Sequence, residues 1–221
     1  MPALADHRPL ALLSGVLAFI TSSVAPVRDL LFQVTPDGRL AGFTILGWIV
    51  GFAPLAILLF SGFSRREQNP RSASMLYWTI VTLIGASLGT VLLRYTGESV
   101  ASTFFITAAA FGALSLFGYT TKRDLTGMGS FLLIGLIGLI LASIINIFLM
   151  SSMMAFIISA AGVLIFAGLT AYDTQRLKMT YYQLGGNEAA LGVATSYGAL
   201  SLYLDFINLF QFLLHFLGNR E

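Results

Sequence analysis

The chain alternates long apolar runs with short polar breaks. A helix needs ~20 residues to cross a hydrocarbon core of ~30 Å. Runs of that size fall near 10–27, 42–63, 74–93, 101–120, 129–150, 153–172 and 195–217. None of them alternates apolar and polar residues as a membrane barrel strand does. A backbone in lipid must also satisfy its own hydrogen bonds, so each run is predicted to be a helix. The expectation is an all-α polytopic membrane bundle of seven transmembrane helices, a single domain over 10–217 with short tails at 1–9 and 218–221. Thr21-Ser22-Ser23 and Pro26 dilute the first run, and Pro54 is expected to kink the second by removing a donor and crowding the preceding turn. Gly47 with Gly51, Gly85 with Gly89, and Ala108 with Gly112 place small residues one turn apart, a spacing that lets helices approach closely.

Composition supports a fold in lipid. The chain is 57% hydrophobic and only 10% charged, far from the balance of a soluble domain. A net charge of +2, with no basic run beyond Arg65-Arg66, gives no reason to expect a nucleic-acid partner. The lipid bilayer, ions and membrane proteins are the expected partners. The absence of cysteine excludes disulfides, iron–sulfur clusters and thiol catalysis. The first run follows only His7 and Arg8 and carries no small-residue cleavage site, so it reads as a retained helix. With seven spans, Arg8, Arg65, Arg66, Arg71, Lys122, Arg123, Arg176 and Lys178 share one side, and Arg28, Arg39, Arg94 and Arg220 the other. That excess places the 1–9 tail and the amino terminus in the cytoplasm. The carboxyl terminus is then outside, or cytoplasmic if the last segment is re-entrant.

Asp205 is the only charge inside a long apolar run. An ionisable group in a span costs at least ~2.5 kcal/mol on insertion scales, and it usually faces a bundle interior or water. Ser201, Asp205, Asn208, Gln211 and His215 recur at helical spacing and form one polar stripe, opposite Leu202, Phe206, Leu209, Phe210, Leu213 and Phe216. A second acid, Asp173, closes the sixth run, with Arg176 three residues on as an ordinary helical partner. If the seventh helix starts near 195–199, the two acids can approach. Two carboxylates in contact do not both ionise easily, so they titrate as a unit and can act as a proton-operated latch. They also offer hard oxygen ligands to a passing Ca²⁺, with Asn208, carbonyls and water completing the shell.

Three stretches carry a resemblance: Phe104 to Thr126, Gly168-Leu-Thr-Ala-Tyr-Asp173, and Ala199-Leu-Ser-Leu-Tyr-Leu-Asp-Phe-Ile-Asn-Leu-Phe210. Together they resemble the Bax inhibitor-1 family of membrane proteins, in its bacterial branch. The resemblance implies an inner-membrane protein of seven helices, the last wrapped by the other six, that leaks calcium in a pH-sensitive way. It implies that Asp173 and Asp205 are the pH-sensing pair, and that an arginine near the end of the second span, Arg65 or Arg66 with Arg71 as a weaker candidate, pairs with the first acid.

Other functions fit less well. Intramembrane aspartyl proteases also carry two acids on consecutive helices, and Tyr172-Asp173 suits their first motif, but Leu202-Tyr-Leu-Asp205 lacks the glycines of the second. Gly85-Ala-Ser-Leu-Gly89 matches a nucleophile elbow only in letters, because that motif needs a strand and a sharp turn. His7 and His215 are too few for a histidine metal cluster, and no nucleotide fingerprint is present, so no cofactor and no enzyme activity are expected. Bacterial relatives are associated with a membrane-anchored ATP-dependent protease. The resemblance therefore also implies a regulatory role in which the loops at Lys122-Arg123-Asp124 and from Arg176 to Glu188 bind such a partner.

Overall fold

Helices account for most of the chain in the computed structural model, which describes residues 10–63 and 69–219. The described chain divides into two units, residues 10–97 with Asn219 and residues 98–218. The first holds α1 (Leu10–Ser23), α2 (Ala25–Leu31), β1 (Phe32–Val34), β2 (Leu40–Phe43), α3 (Ile45–Phe63), α4 (Pro70–Ser87) and α5 (Gly89–Leu92).

The first apolar run, expected as one span over 10–27, is broken. Leu13–Ser23 and α2 meet at 92° across Val24. Pro26 explains the new start: in a first helical turn its missing N–H costs nothing and its φ is already set. Upstream, the Thr21 hydroxyl donates back to the Leu17 carbonyl at 2.9 Å and the Ser22 hydroxyl to Phe19 at 3.0 Å. Among the described residues, five segments are long and apolar enough to cross a membrane, and the bent pair makes a sixth if it is one span. The described apolar part of α3, Ile45–Leu58, is shorter. By length the count is therefore five to six, against the seven expected from hydropathy.

A second departure is an antiparallel hairpin in the connection between the first two runs, with Phe32 opposite Phe43 and a bulge between Gln33 and Val34. Its turn is Thr35-Pro36-Asp37-Gly38, where the Gly38 N–H donates to the Thr35 carbonyl at 2.9 Å and Gly38 takes φ +82°. Proline fixes the first turn dihedral and glycine accepts the left-handed one.

Close approach holds the first unit together. A Cβ on Gly85 would press on Ser14 and Leu17, one on Gly89 on Thr21 and Phe32, and one on Gly47 on the Leu31 carbonyl. Among the described residues a Cβ on Gly51 would meet nothing, so of that pair Gly47 is the one seen to pack. The Ser87 hydroxyl donates to the Ile84 carbonyl at 2.8 Å, inside the last turn of α4, and Gly85 and Gly89 act as packing residues around it rather than as an elbow.

The second unit is built from α6 (Gly97–Thr120), α7 (Thr126–Leu149), α8 (Ser152–Gln183) and α9 (Glu188–Leu217). The α7–α8 connection is tight: Met150 caps α7 at φ +49°, and the Ser151 side chain accepts from the Met154 N–H at 3.2 Å. Asn187 starts α9 in the same way, accepting from Ala190 N–H at 3.0 Å. Leu139, Ile158, Phe166 and Leu209 form a buried core between α7, α8 and α9. Phe206 meets Phe104 and Phe111 of α6 edge to face at 5.7 and 5.5 Å. Among the described residues a Cβ on Gly112 would meet nothing within 4 Å, so the expected Ala108–Gly112 contact is not seen there; Gly118 packs instead against the Ala171 carbonyl.

Candidate functional site

The site lies between α8 and α9, and the lengths of these helices decide its geometry. At 32 residues, α8 is ~48 Å long at 1.5 Å per residue. It continues ten residues beyond Asp173, so this acid lies inside a helix rather than at its end. Helix α9 begins at Glu188, not at 195–199, which sets Asp205 well inside it. Both acids are buried, Asp173 at 7% exposure and Asp205 at 4%.

Three contacts fix the antiparallel register of the two helices. Leu177 packs where a Cβ of Gly198 would be, the Ser201 hydroxyl donates to Asp173 Oδ2, and the Phe212 ring fills the space beside Gly162. Ser201 is therefore the group that faces Asp173. Asp205, four residues further along, lies one turn deeper, an axial offset of ~6 Å. Asp173, Ser201 and Asp205 form one polar line, because residues four apart share a helix face. Asp205 interacts electrostatically with both Asp173 and Arg176, and its Oδ2 is buried without a hydrogen bond among the described residues.

Among the described residues, the arginine beside the first acid is Arg176, whose Nη2 is 3.4 Å from Asp173 Oδ1 and whose side chain is half exposed. Its guanidinium also stands over the Tyr172 ring at 5.6 Å. Arg65 and Arg66 lie outside the described residues. The rest of the stripe divides. Asn208 donates to its own helix at the Leu204 carbonyl, 2.8 Å away, while Gln211 and His215 are exposed. Only Ser201 and Asp205 of the predicted stripe thus join the buried site. Among the described residues no group of three or more His, Asp or Glu is arranged to hold a metal ion.

Gln175 is a residue that sequence reasoning passed over. It is buried, accepts from the Leu125 N–H at 2.8 Å and donates to the Arg123 carbonyl at 2.8 Å, so it ties the α6–α7 loop to α8. Lys178 adds a second tie, donating to the Tyr119 carbonyl at 2.7 Å. No spacing rule finds Gln175, because its partners are main-chain groups some fifty residues earlier. In the same loop Asp124 accepts from the Thr126 hydroxyl and N–H, which together hold its carboxyl below the ordinary range.

Long apolar helices around a buried carboxylate pair define an integral membrane protein of the polytopic helical class. Residues 10–221 match the family model described as "Inhibitor of apoptosis-promoting Bax1", and the chain belongs to this Bax inhibitor-1 family. It is 66% identical over 209 residues to an uncharacterised protein of Caulobacter vibrioides, covering 94% of this chain and 83% of that one. It is 49% identical over 212 residues to an uncharacterised protein of Rickettsia prowazekii, covering 95% and 84%. Against the inner membrane protein YbhL of Escherichia coli the identity is 40% over 211 residues, covering 95% and 86%.

Proposed function

We propose that this protein is a pH-sensitive calcium leak of the bacterial inner membrane, in which the Asp173–Ser201–Asp205 line latches α9 to α8. The observation that carries this reading is Asp205 Oδ2, a buried carboxylate oxygen without a hydrogen bond among the described residues, one turn from a second buried acid. A buried carboxylate left unpaired is costly unless it gains a proton or a cation. Binding either one at Asp205 therefore changes the charge felt by Asp173 and Arg176, and so the strength of the α8–α9 contact. The membrane location is supported by the Escherichia coli relative, an inner membrane protein.

The test is calcium entry into dye-loaded proteoliposomes, measured from mildly acidic to mildly alkaline pH. Asp205→Ala is expected to remove the pH dependence. Flux and pH dependence both equal to the unsubstituted protein would falsify the latch.

A further inference from the structure

A two-stranded hairpin has unpaired N–H and C=O groups along both outer edges, and such edges are not found facing hydrocarbon. The β1–β2 hairpin, with Asp37 and Arg39 at its tip, therefore marks the level at which the first unit meets water. Three helix ends share that level. Gly89 at the start of α5 packs against Thr21 near the end of α1 and against Phe32 of β1, and Gly47 at the start of α3 abuts the Leu31 carbonyl. Thr44 fastens the end of α2 to this level, its hydroxyl donating to the Leu30 carbonyl at 2.6 Å and its N–H to Leu31 at 3.1 Å.

Helix α2 leaves α1 at 92°. If α1 follows the membrane normal, α2 lies in the membrane plane. Its outward residue Leu30 is 60% exposed, while the neighbouring Leu31 is buried. From this level an aromatic row of Phe43, Trp48 and Phe52 runs along α3, with centroids 5.0 and 5.6 Å apart and both Trp48 and Phe52 exposed. Tryptophan and other amphipathic rings collect at the headgroup level, and interfacial helices sink their apolar face ~5–10 Å into the headgroup and acyl boundary. Ile45, Ile49 and Leu55 of α3 are exposed apolar residues as well.

We propose that α2 and the β1–β2 hairpin form an interfacial platform whose occupant is the bilayer surface. Leu30 and Trp48 sit at the acyl boundary, with Phe52 one turn deeper, and Arg39 and the Arg28–Asp29 pair sit at the headgroup level. The platform anchors the first unit to one leaflet.

The lack of cysteine lets each position carry a unique probe. Single cysteines at Leu30, Asp37, Trp48 and Ile140 of the full chain are labelled with a nitroxide in phosphatidylcholine and phosphatidylglycerol vesicles. Collision with oxygen, which prefers lipid, is then compared with collision with a water-soluble nickel chelate. Leu30 and Trp48 are expected at one shallow depth, between the wet Asp37 and the deep Ile140. A depth at Leu30 equal to that of Ile140 makes the bent pair a re-entrant span and overturns the platform. Nickel access equal to that of Asp37 makes it an aqueous loop, and protection from both reagents makes it a protein contact. Either result also overturns the platform.

Discussion

Ser201 is the residue whose substitution tests the geometry of the latch most directly. Replacing it with alanine leaves Asp173 Oδ2 buried without its hydroxyl donor, a loss of about 1–3 kcal/mol for an unsatisfied buried group. Thermal unfolding in detergent should show the loss, and Ser201→Thr, which keeps a hydroxyl, should recover most of it. A melting point unchanged by the alanine would mean that the hydroxyl contact contributes nothing. Asp205 was legible in the sequence because a lone charge in an apolar run costs too much to be incidental. The facing of Ser201 to Asp173 was not, since it depends on how two helices slide against each other. The half-exposed Arg176 stood in plain view at helical spacing from Asp173, yet three residues along one helix do not reveal which side chain is buried.

At the scale of elements, hydrophobic periodicity located the helices but not their contacts. Gly112 and Gly118 lie on the same helix and differ only in what surrounds them. Gly118→Ala would drive a methyl into the Ala171 carbonyl and force α6 away from α8, an overpacking cost of about 1–3 kcal/mol. Gly112→Ala meets open space and should be neutral or gain up to about 1 kcal/mol from helix propensity. Comparing the melting points of the two variants in one detergent checks both; equal effects would mean that the α6–α8 approach is looser than the structure has it. Sequence spacing chose the wrong glycine of the two, because a small residue one turn from another says nothing about which face meets a neighbour. The hairpin was within reach of a sequence reading, through Pro36-Asp37-Gly38. It was missed because hydropathy treats everything between two runs as connection.

For the molecule as a whole, charge distribution makes a prediction about sidedness. The basic residues of the α6–α7 loop and of the end of α8 belong to the richer side, which the positive-inside rule assigns to the cytoplasm. On the seven-span reading of the sequence, the hairpin tip is expected on the opposite side. An impermeant thiol reagent added to intact spheroplasts should label a cysteine at Asp37 at once, and one at Lys122 only after the membrane is opened. The reverse pattern would invert the topology and put the latch at the other face.

The sequence by itself determined that this chain lives in lipid, that it is helical and which family it belongs to, and it singled out Asp173 and Asp205, because hydropathy, charge and motif are properties of neighbouring residues. Tertiary structure decided the rest. The right-angle break after α1 depends on how Thr21, Ser22 and Pro26 share the local hydrogen bonds. The fastening of the α6–α7 loop depends on Gln175 reaching main-chain groups far away in the chain. The one-turn stagger between Asp173 and Asp205 depends on where Gly162 and Gly198 let α8 and α9 close on each other. Register between helices is set by close packing at a few points, and no local pattern encodes it.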